Sequence, residues 1–531
     1  MGSEWKEFMV MYDVRGIQNY VFKTNKLKEV IGASGIISDL IIHLFNQAVK
    51  DAQINLITND DIYGRGQARP LQFFHNNEEG CEVLYYGGGN LVVLFRTDEE
   101  KINKINKKIS MELIRESYGL SLACAKTQVT KDYKKDYEAL RKEMDHVKDN
   151  MPELKLCGAL PIIATDPMTG YPLTSKARIT GQSHKIKVST ETKKKIDKYN
   201  SLHEKENTKY EGNEIDLFGT ESGDNLIAII HADGNRMGKT IAEVIQNANT
   251  YEDAAQRMRT LSYRIKQTFE VEGVQAMRDV LPEAAQEAGL KDREDPIFRV
   301  IIKAGDDMTF VCNDKIALRL VETFIHSISG KKMYDEPNTP DYIPDFSACA
   351  GIAIVHKGFP FSVGYQIAEQ LCDSAKARAK GLNSDEPGNF IDFQYCYSGI
   401  LDDLDTIREE SYKIQDNDKT INLCLRPYSL YADNEVYSLS NFKKRLATLK
   451  RENLPRSKAK ELRDAYYEGP QVLESVINEI LSRKHDMPKF EENGQQQYFA
   501  DVNGETCATY YDALEMMDLK WEGDFSNGTD H

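Results

Sequence analysis

Residues Phe298–Cys312 read FRVIIKAGDDMTFVC. An apolar β-type run enters a Gly-Asp-Asp turn and a second β-type run leaves it, the signature of a hairpin with Asp306 and Asp307 at its tip. Two carboxylates held a few ångströms apart repel unless a divalent cation neutralises them. Oxygen-only ligands favour Mg²⁺ or Mn²⁺, the ions that usually accompany nucleoside triphosphates. A solvent-exposed acidic turn would explain a lone Gly-Asp-Asp equally well, so the surrounding sequence decides.

Upstream, Leu226–Ile230 (LIAII) is a short apolar run that continues into HADGNRMGKTIAEVI, where strand-like periodicity gives way to helical periodicity. Asp233 falls at the end of this strand, and Gly234 lets the chain turn sharply. If this strand lies beside the hairpin, Asp233 faces the Asp306/Asp307 pair, and three carboxylates so placed can bind two metal ions about 4 Å apart for in-line phosphoryl transfer. Downstream, Phe346–Val355 (FSACAGIAIV) is a further β-rich run, followed by the helical VGYQIAEQLCDSAKARAKG ending at Gly381. Lys376 and Lys380 are four residues apart, share a helix face and are candidates to hold a triphosphate tail. A merely solvated face is the plainer account of those lysines alone.

The order strand-ADGN-helix, hairpin-AGDD, strand-SACAGIAIV, helix-AKARAK resembles the palm domain shared by GGDEF-type diguanylate cyclases and class III nucleotide cyclases. It is most similar to the second palm of the large subunit of type III CRISPR effector complexes, which makes cyclic oligoadenylates. The resemblance implies Asp233, Asp306 and Asp307 as metal-binding and catalytic acids. It also implies Asn235, Gly305, Lys376 and Lys380 as nucleotide contacts. Ala304 departs from the family's Gly-Gly-Asp-Asp motif by replacing its first glycine, which bears on substrate choice more than on metal binding.

The N-terminal VMYDVRGIQNYVFKTNKLKEVIGASGIISDLI, with its Gly16-Ile17-Gln18 and Gly32-Ala33-Ser34 elements read as turns, resembles the opening of the first palm of the same subunit. CEVLYYGGGNLVVLF is again strand, tight turn, strand, with Gly87-Gly88-Gly89-Asn90 where the acids would stand. GLSLACAKTQV then parallels FSACAGIAIV. Asp13 to Gly89 and Asp233 to Asp306 are both about 75 residues apart, an internal repeat whose first copy has lost its hairpin acids. Gly88 and Ser34 are the expected nucleotide contacts of this degenerate copy, since a glycine tip lets a phosphate approach the backbone.

GNRMGKT comes close to a phosphate-binding P-loop, but Asp233 fills the required first glycine and would repel the phosphates. A Walker-type acid also ends its strand, whereas AGDD is followed at once by a returning strand. His485-Asp486 invites a His-Asp nuclease reading, but nothing near supplies further ligands. The first palm starts at once, so the nuclease domain of many relatives is not expected, nor is DNA cleavage.

Composition agrees. A chain of 531 residues, 40% hydrophobic and 29% charged, reads as an ordinary soluble protein of three or four domains. A net charge of −16 argues against an autonomous duplex-DNA binder. Nine scattered cysteines without Cys-x-x-Cys indicate neither a disulfide framework nor a zinc site, and only Cys157 marks the place of the family's inter-palm zinc finger. No membrane-length apolar run or secretory signal is read, so a cytoplasmic, reduced protein is expected.

The expected class is α/β (α+β): two ferredoxin-like palm domains with antiparallel sheets, plus a helical linker and a helical C-terminal domain. The expected units are a first palm over 1–130, a helical and lysine-rich linker over 131–220, a second palm over 221–395 and the helical domain over 396–531. The lysine-rich part of the linker, SHKIKVSTETKKKIDKYNSLHEKENTKYEGNE, reads as a mobile surface connection. The implied activity is a nucleotidyltransferase or cyclase using Mg²⁺ or Mn²⁺ and ATP or a similar triphosphate, with guide-RNA effector subunits as partners. The alternative is a non-catalytic nucleotide-binding scaffold or sensor.

Overall fold

The computed structural model describes residues 5–521 except 39, 58–68, 76, 153–161, 167–168, 180–183, 204–208, 213–224, 291–295, 335–344, 383–387, 397–402, 417–418, 432–435, 452–453, 484–490, 493–494, 497, 503 and 520. Cys157 and His485-Asp486 lie outside the described residues.

Each half of the repeat builds its own sheet of four main antiparallel strands. In the first, the strands run Asn55–Leu56, Gly80–Gly87, Asn90–Arg96, Glu7–Arg15, Ser121–Gln128 across the sheet. In the second, the order is Tyr428–Ser429, Phe390–Tyr395, Ala348–His356, Leu226–Gly234, Asp307–Asn313, Phe298–Ala304. Stripped of the added edge strands, both place their four main strands as second, third, first, fourth, the ferredoxin-like arrangement. Phe390–Tyr395 joins parallel to Ala348–His356, so the second sheet is mixed at that end.

The strand Leu226–Gly234 is buried at every residue except Asp233, because both faces of its sheet are covered. Alternation sorts the two faces. Ala228, Ile230 and Ala232 pack with residues of the helices Val274–Glu287 and Ala317–Ile328. Ile227 and Ile229 share a core with Val10, Tyr12 and Val14 of the first sheet and with Tyr365 and Leu371 of the helix Phe361–Leu382. The two palms are thus fused through one apolar cluster. Phe22 stacks on Tyr365 at a centroid separation of 3.7 Å, while Gln18 Nε2 donates to the Tyr365 hydroxyl and to Glu369, both at 3.1 Å. Asp233 is on the same face as Ile227 and Ile229, toward the helix Phe361–Leu382.

Three local expectations need correction. The helix Tyr133–Asp149 lies on the first sheet, its Tyr133, Tyr137, Leu140 and Met144 packed with Met9, Ala123 and Ala125, as the closing helix of that palm. The lysine-rich stretch is not a mobile connection where it is described. Thr190–His203 is a helix lying so close to Leu27–Ile37 that a Cβ on Gly32 would come 1.9 Å from the Lys195 carbonyl. Lys195 is 1% exposed and donates to the Tyr20 carbonyl and to Glu191, both at 2.6 Å; that pairing lets a lysine enter a core. Gly32-Ala33-Ser34 sits inside the helix Leu27–Ile37 rather than in a turn.

After the second palm come the helices Leu439–Arg451, Arg456–Tyr467 and Pro470–Ser482, as the amphipathic pattern implies. They are accompanied by a four-stranded sheet of Lys413–Asp416, Lys419–Asn422, Glu505–Ala508 and Phe499–Val502, which a purely helical reading lacks. Its strands are four residues each and partly exposed, so they carry little periodic signal.

Candidate active site at the hairpin tips

The hairpin register puts Met308 opposite Ala232, so the acid-bearing ends of the strands Leu226–Gly234 and Asp307–Asn313 lie side by side. Gly305 takes φ +72°, the left-handed conformation that a side chain disfavours, and it makes the tight turn into Asp306. Ala304 is still in the strand, paired with Asp307, so its methyl costs the backbone nothing at the place where the family motif has glycine. Gly234 matters for space: a Cβ there would lie 3.0 Å from the Cβ of Asp306 and 3.1 Å from its Oδ2. Asp306 therefore rests against the backbone just past Asp233.

The acids perturb one another. Burial and the charge of Asp233 push the Asp306 carboxyl up to about 7. Burial, Asp233, Asp306 and Glu369 push Asp307 up to about 8. His231 Nδ1 lies 3.4 Å from Asp307 Oδ1, but burial pushes that imidazole down to about 4, so it is neutral and supplies no countercharge near pH 7. The cation present is Lys376, whose ammonium is ion-paired to Asp233. Burial opposes that charge, yet Asp233 holds the lysine above its ordinary value.

Other expected contacts divide. Lys380 is on the helix of Lys376 but exposed. Asn235 Nδ2 donates to Ser347 Oγ at 3.0 Å and to the Gly388 carbonyl at 3.2 Å, tying strand ends together. Ser34 Oγ donates to the Ile301 carbonyl, joining the first palm to the hairpin strand of the second. Gly88, at φ +58°, approaches the second tip so closely that a Cβ there would lie 3.3 Å from the Ala304 carbonyl oxygen. The two tips thus face each other. Between the palms lies a cavity of about 890 Å³, lined by Ser34, Gly88, Tyr86, Lys198, Lys303 and Ala304 among others; the three acids lie beyond its edge, past Ala304.

Sequence reading missed Gln18 and Glu369. Glu369, Asp373 and Lys376 are spaced 4 and 3 apart on one helix face near the acids, and that spacing was the available signal. In the first palm the corresponding strand acid, Asp13, sits opposite Asn90 and pairs with Lys148 at 2.6 Å, while Gly89 takes the place of a hairpin acid.

Among the described residues, no group of three or more His, Cys, Asp or Glu side chains is already arranged around a metal position. The donor chemistry nonetheless suits a hard divalent cation: Asp306 and Asp307, both pushed up by burial and by the charge of Asp233, with a buried Asp307 Oδ1 that accepts no hydrogen bond. Among the described residues, no helix is long and apolar enough to cross a membrane.

Residues 226–384 match the family described as Cas10/Cmr2, second palm domain. No curated protein matches the chain. Among solved structures, the Csm1-Csm4 cassette in complex with cA4 is similar at 12% identity and TM-score 0.54, over 97% of this chain and 70% of the other. The cassette in complex with AMPPNP is similar at 11% identity and TM-score 0.54, over 98% and 70%. Csm1 in T. onnurineus is similar at 12% identity and TM-score 0.53, over 97% and 70%. At such identity the likeness is one of fold, and it spans both palms and the C-terminal region.

Proposed function

We propose that this chain is a metal-dependent nucleotidyltransferase that joins ATP or a similar triphosphate into a cyclic or linear oligonucleotide signal, in CRISPR-type antiviral defence. The observation that carries the reading is the cluster of Asp233, Asp306 and Asp307 beside Lys376, at the edge of a cavity between two facing tips. A protein kept only as a scaffold gains nothing from burying Asp306 and Asp307 beside Asp233, where its charge and burial raise their proton affinity.

In the reaction a ribose hydroxyl oxygen forms a bond to an α-phosphorus, the bond to the β-phosphate oxygen breaks, and pyrophosphate leaves. The hydroxyl proton passes to water at the site. Mg²⁺ or Mn²⁺ held by Asp233, Asp306 and Asp307 would supply neutralising charge at the attacking and leaving oxygens. Lys376, released from Asp233 when the acids are otherwise neutralised, is placed to meet a phosphate. The cavity holds the acceptor nucleotide against the first palm. The Csm4 partner in the similar cassettes supports a working context among guide-RNA effector subunits, and a cytoplasmic location follows from that context.

The second reading, a nucleotide-binding sensor without turnover, is favoured by the Lys376–Asp233 pair, which already satisfies one acid. Incubating the full chain with Mn²⁺ or Mg²⁺ and each triphosphate, then analysing products by mass spectrometry, separates the two. Phosphodiester-linked products and pyrophosphate, absent from Asp306→Ala/Asp307→Ala, support the enzyme. Nucleotide binding without any product supports the sensor.

A further inference from the structure

The long helix running from Tyr251 to Glu287 does not keep α-helical geometry. Between Ile265 and Val274 the eight residues Lys266–Gly273 (KQTFEVEG) widen into a π-helical stretch. Such stretches are rare and are found frequently at functional sites. This one is firmly seated. Phe269 is buried and packs edge-on to Phe324 and Phe346, and a Cβ on Gly273 would come 2.6 Å from the Phe324 ring.

From that seat the stretch reaches both tips. Glu270 Oε1 accepts a hydrogen bond from the backbone N–H of Gly305 at 2.9 Å. Gly305 is the residue whose left-handed conformation sends the chain into Asp306 and Asp307. Lys266, one turn earlier, sets its ammonium 4.8 Å from the ring of Tyr86, in the strand leading to the glycine tip of the first palm. Both Lys266 and Glu270 line the cavity between the palms.

We infer that Glu270 is a positioning residue: it fixes the Gly305 peptide, and through it the direction in which Asp306 and Asp307 leave the turn. The argument is geometric. A two-residue tip whose pivot is a glycine has little intrinsic rigidity, and the two carboxyls repel, so the turn left alone would splay them. A carboxylate accepting from the pivot amide is a strong, charge-assisted tether. Its rigid support is the π stretch, held by Phe269 packed against Phe324 and Phe346. The inference rests on the nucleotidyltransferase reading for its effect on turnover, but the tether itself can be tested without turnover.

The variants are Glu270→Ala, Glu270→Gln and, as a control on the same stretch, Glu272→Ala. Glu270→Ala is expected to speed hydrogen exchange at the Gly305 amide in the full chain. It should lower kcat by about ten- to a hundredfold, as small misplacements of reacting groups do, and change the triphosphate KM much less, because what it chiefly alters is where Asp306 and Asp307 point. Glu270→Gln keeps an acceptor oxygen at the same reach and is expected to restore both slow exchange and most of the turnover. Glu272→Ala should resemble the parent. Unchanged exchange in Glu270→Ala overturns the role. So does a Gln variant as impaired as Ala, or an equal loss in Glu272→Ala, which would mean that the π stretch matters only as a whole. If the parent makes no product from any triphosphate, the proposed reaction fails, and exchange at Gly305 still decides the tether.

Discussion

Lys148 Nζ lies 2.6 Å from Asp13 Oδ2, repeating in the first palm the ion pair that Lys376 makes with Asp233 in the second. The equivalence is positional as well as chemical. Lys148 stands 20 residues beyond Gln128, the end of its palm's fourth strand, and Lys376 stands 20 beyond His356, the end of the matching one. The repeat has therefore kept a strand acid and a helix lysine in both copies and hairpin acids in only one. Asymmetry of the site resides in the tips, Gly89-Asn90 against Asp306-Asp307.

Removing the hairpin acids should separate catalysis from stability. Asp306→Ala with Asp307→Ala deletes two carboxyls that burial and mutual repulsion push up, so the melting temperature is expected to stay level or rise. Product formation should vanish. Full activity in that variant would sink the assignment of these acids.

The same two groups fix a pH dependence. Both carboxyls bind protons more tightly folded than unfolded, with folded values of about 7 and about 8 against an ordinary value of 3.8. The folded chain then holds more protons than the unfolded one between those limits, so stability falls as pH rises through that window and levels off above it. Melts from pH 6 to 9 in EDTA should show this decline. Saturating Mn²⁺ should flatten it, as should the double alanine variant. A slope that persists in the variant would place its origin elsewhere.

Asp13→Asn should cost far less activity than Asp233→Asn, because no hairpin acid stands beside Asp13. It should also cost about 1 kcal/mol of stability, since Asp13 is mostly buried and Lys148 is its partner at 2.6 Å. Comparing turnover and denaturant midpoints for the two variants checks both claims. Equal losses of turnover would mean that the first palm is itself catalytic.

What could be read from residues alone follows the range of the interactions involved. Hairpins such as Phe298–Asn313 are local, so alternation and a glycine turn announce them. Asp233 was legible because a strand run ends on it. The C-terminal sheet was not, since Ile421 and Asn422 find their partners in Thr506 and Cys507, more than eighty residues on. Lys195 belongs to a run of lysines that looks like a solvated surface, and only Glu191 one turn earlier hints that it is inside. Glu270 shows no motif at all, because its meaning depends on a π-helical offset that brings it to Gly305.

The last prediction concerns Gly88, where the structure alters the expected cause of an effect. A valine there would meet two costs before any nucleotide is considered. Its left-handed φ of +58° strains a side chain by about 1–2 kcal/mol, and the added carbon would press on the Ala304 carbonyl, 3.3 Å away. Gly88→Val should push the facing tips apart and distort the cavity, which weakens the acceptor nucleotide bound against the first palm. Donor binding at Lys376 and Mn²⁺ binding at the acids should persist, because neither depends on the first tip. Gly88→Ala makes the comparison sharper: it carries similar backbone strain with less bulk, so a graded loss from Gly to Ala to Val marks crowding at Ala304. Calorimetry should find two nucleotide sites in the parent and about one in the valine variant, with slower product formation. A single site in both, with turnover unchanged, would make the first palm a structural partner only.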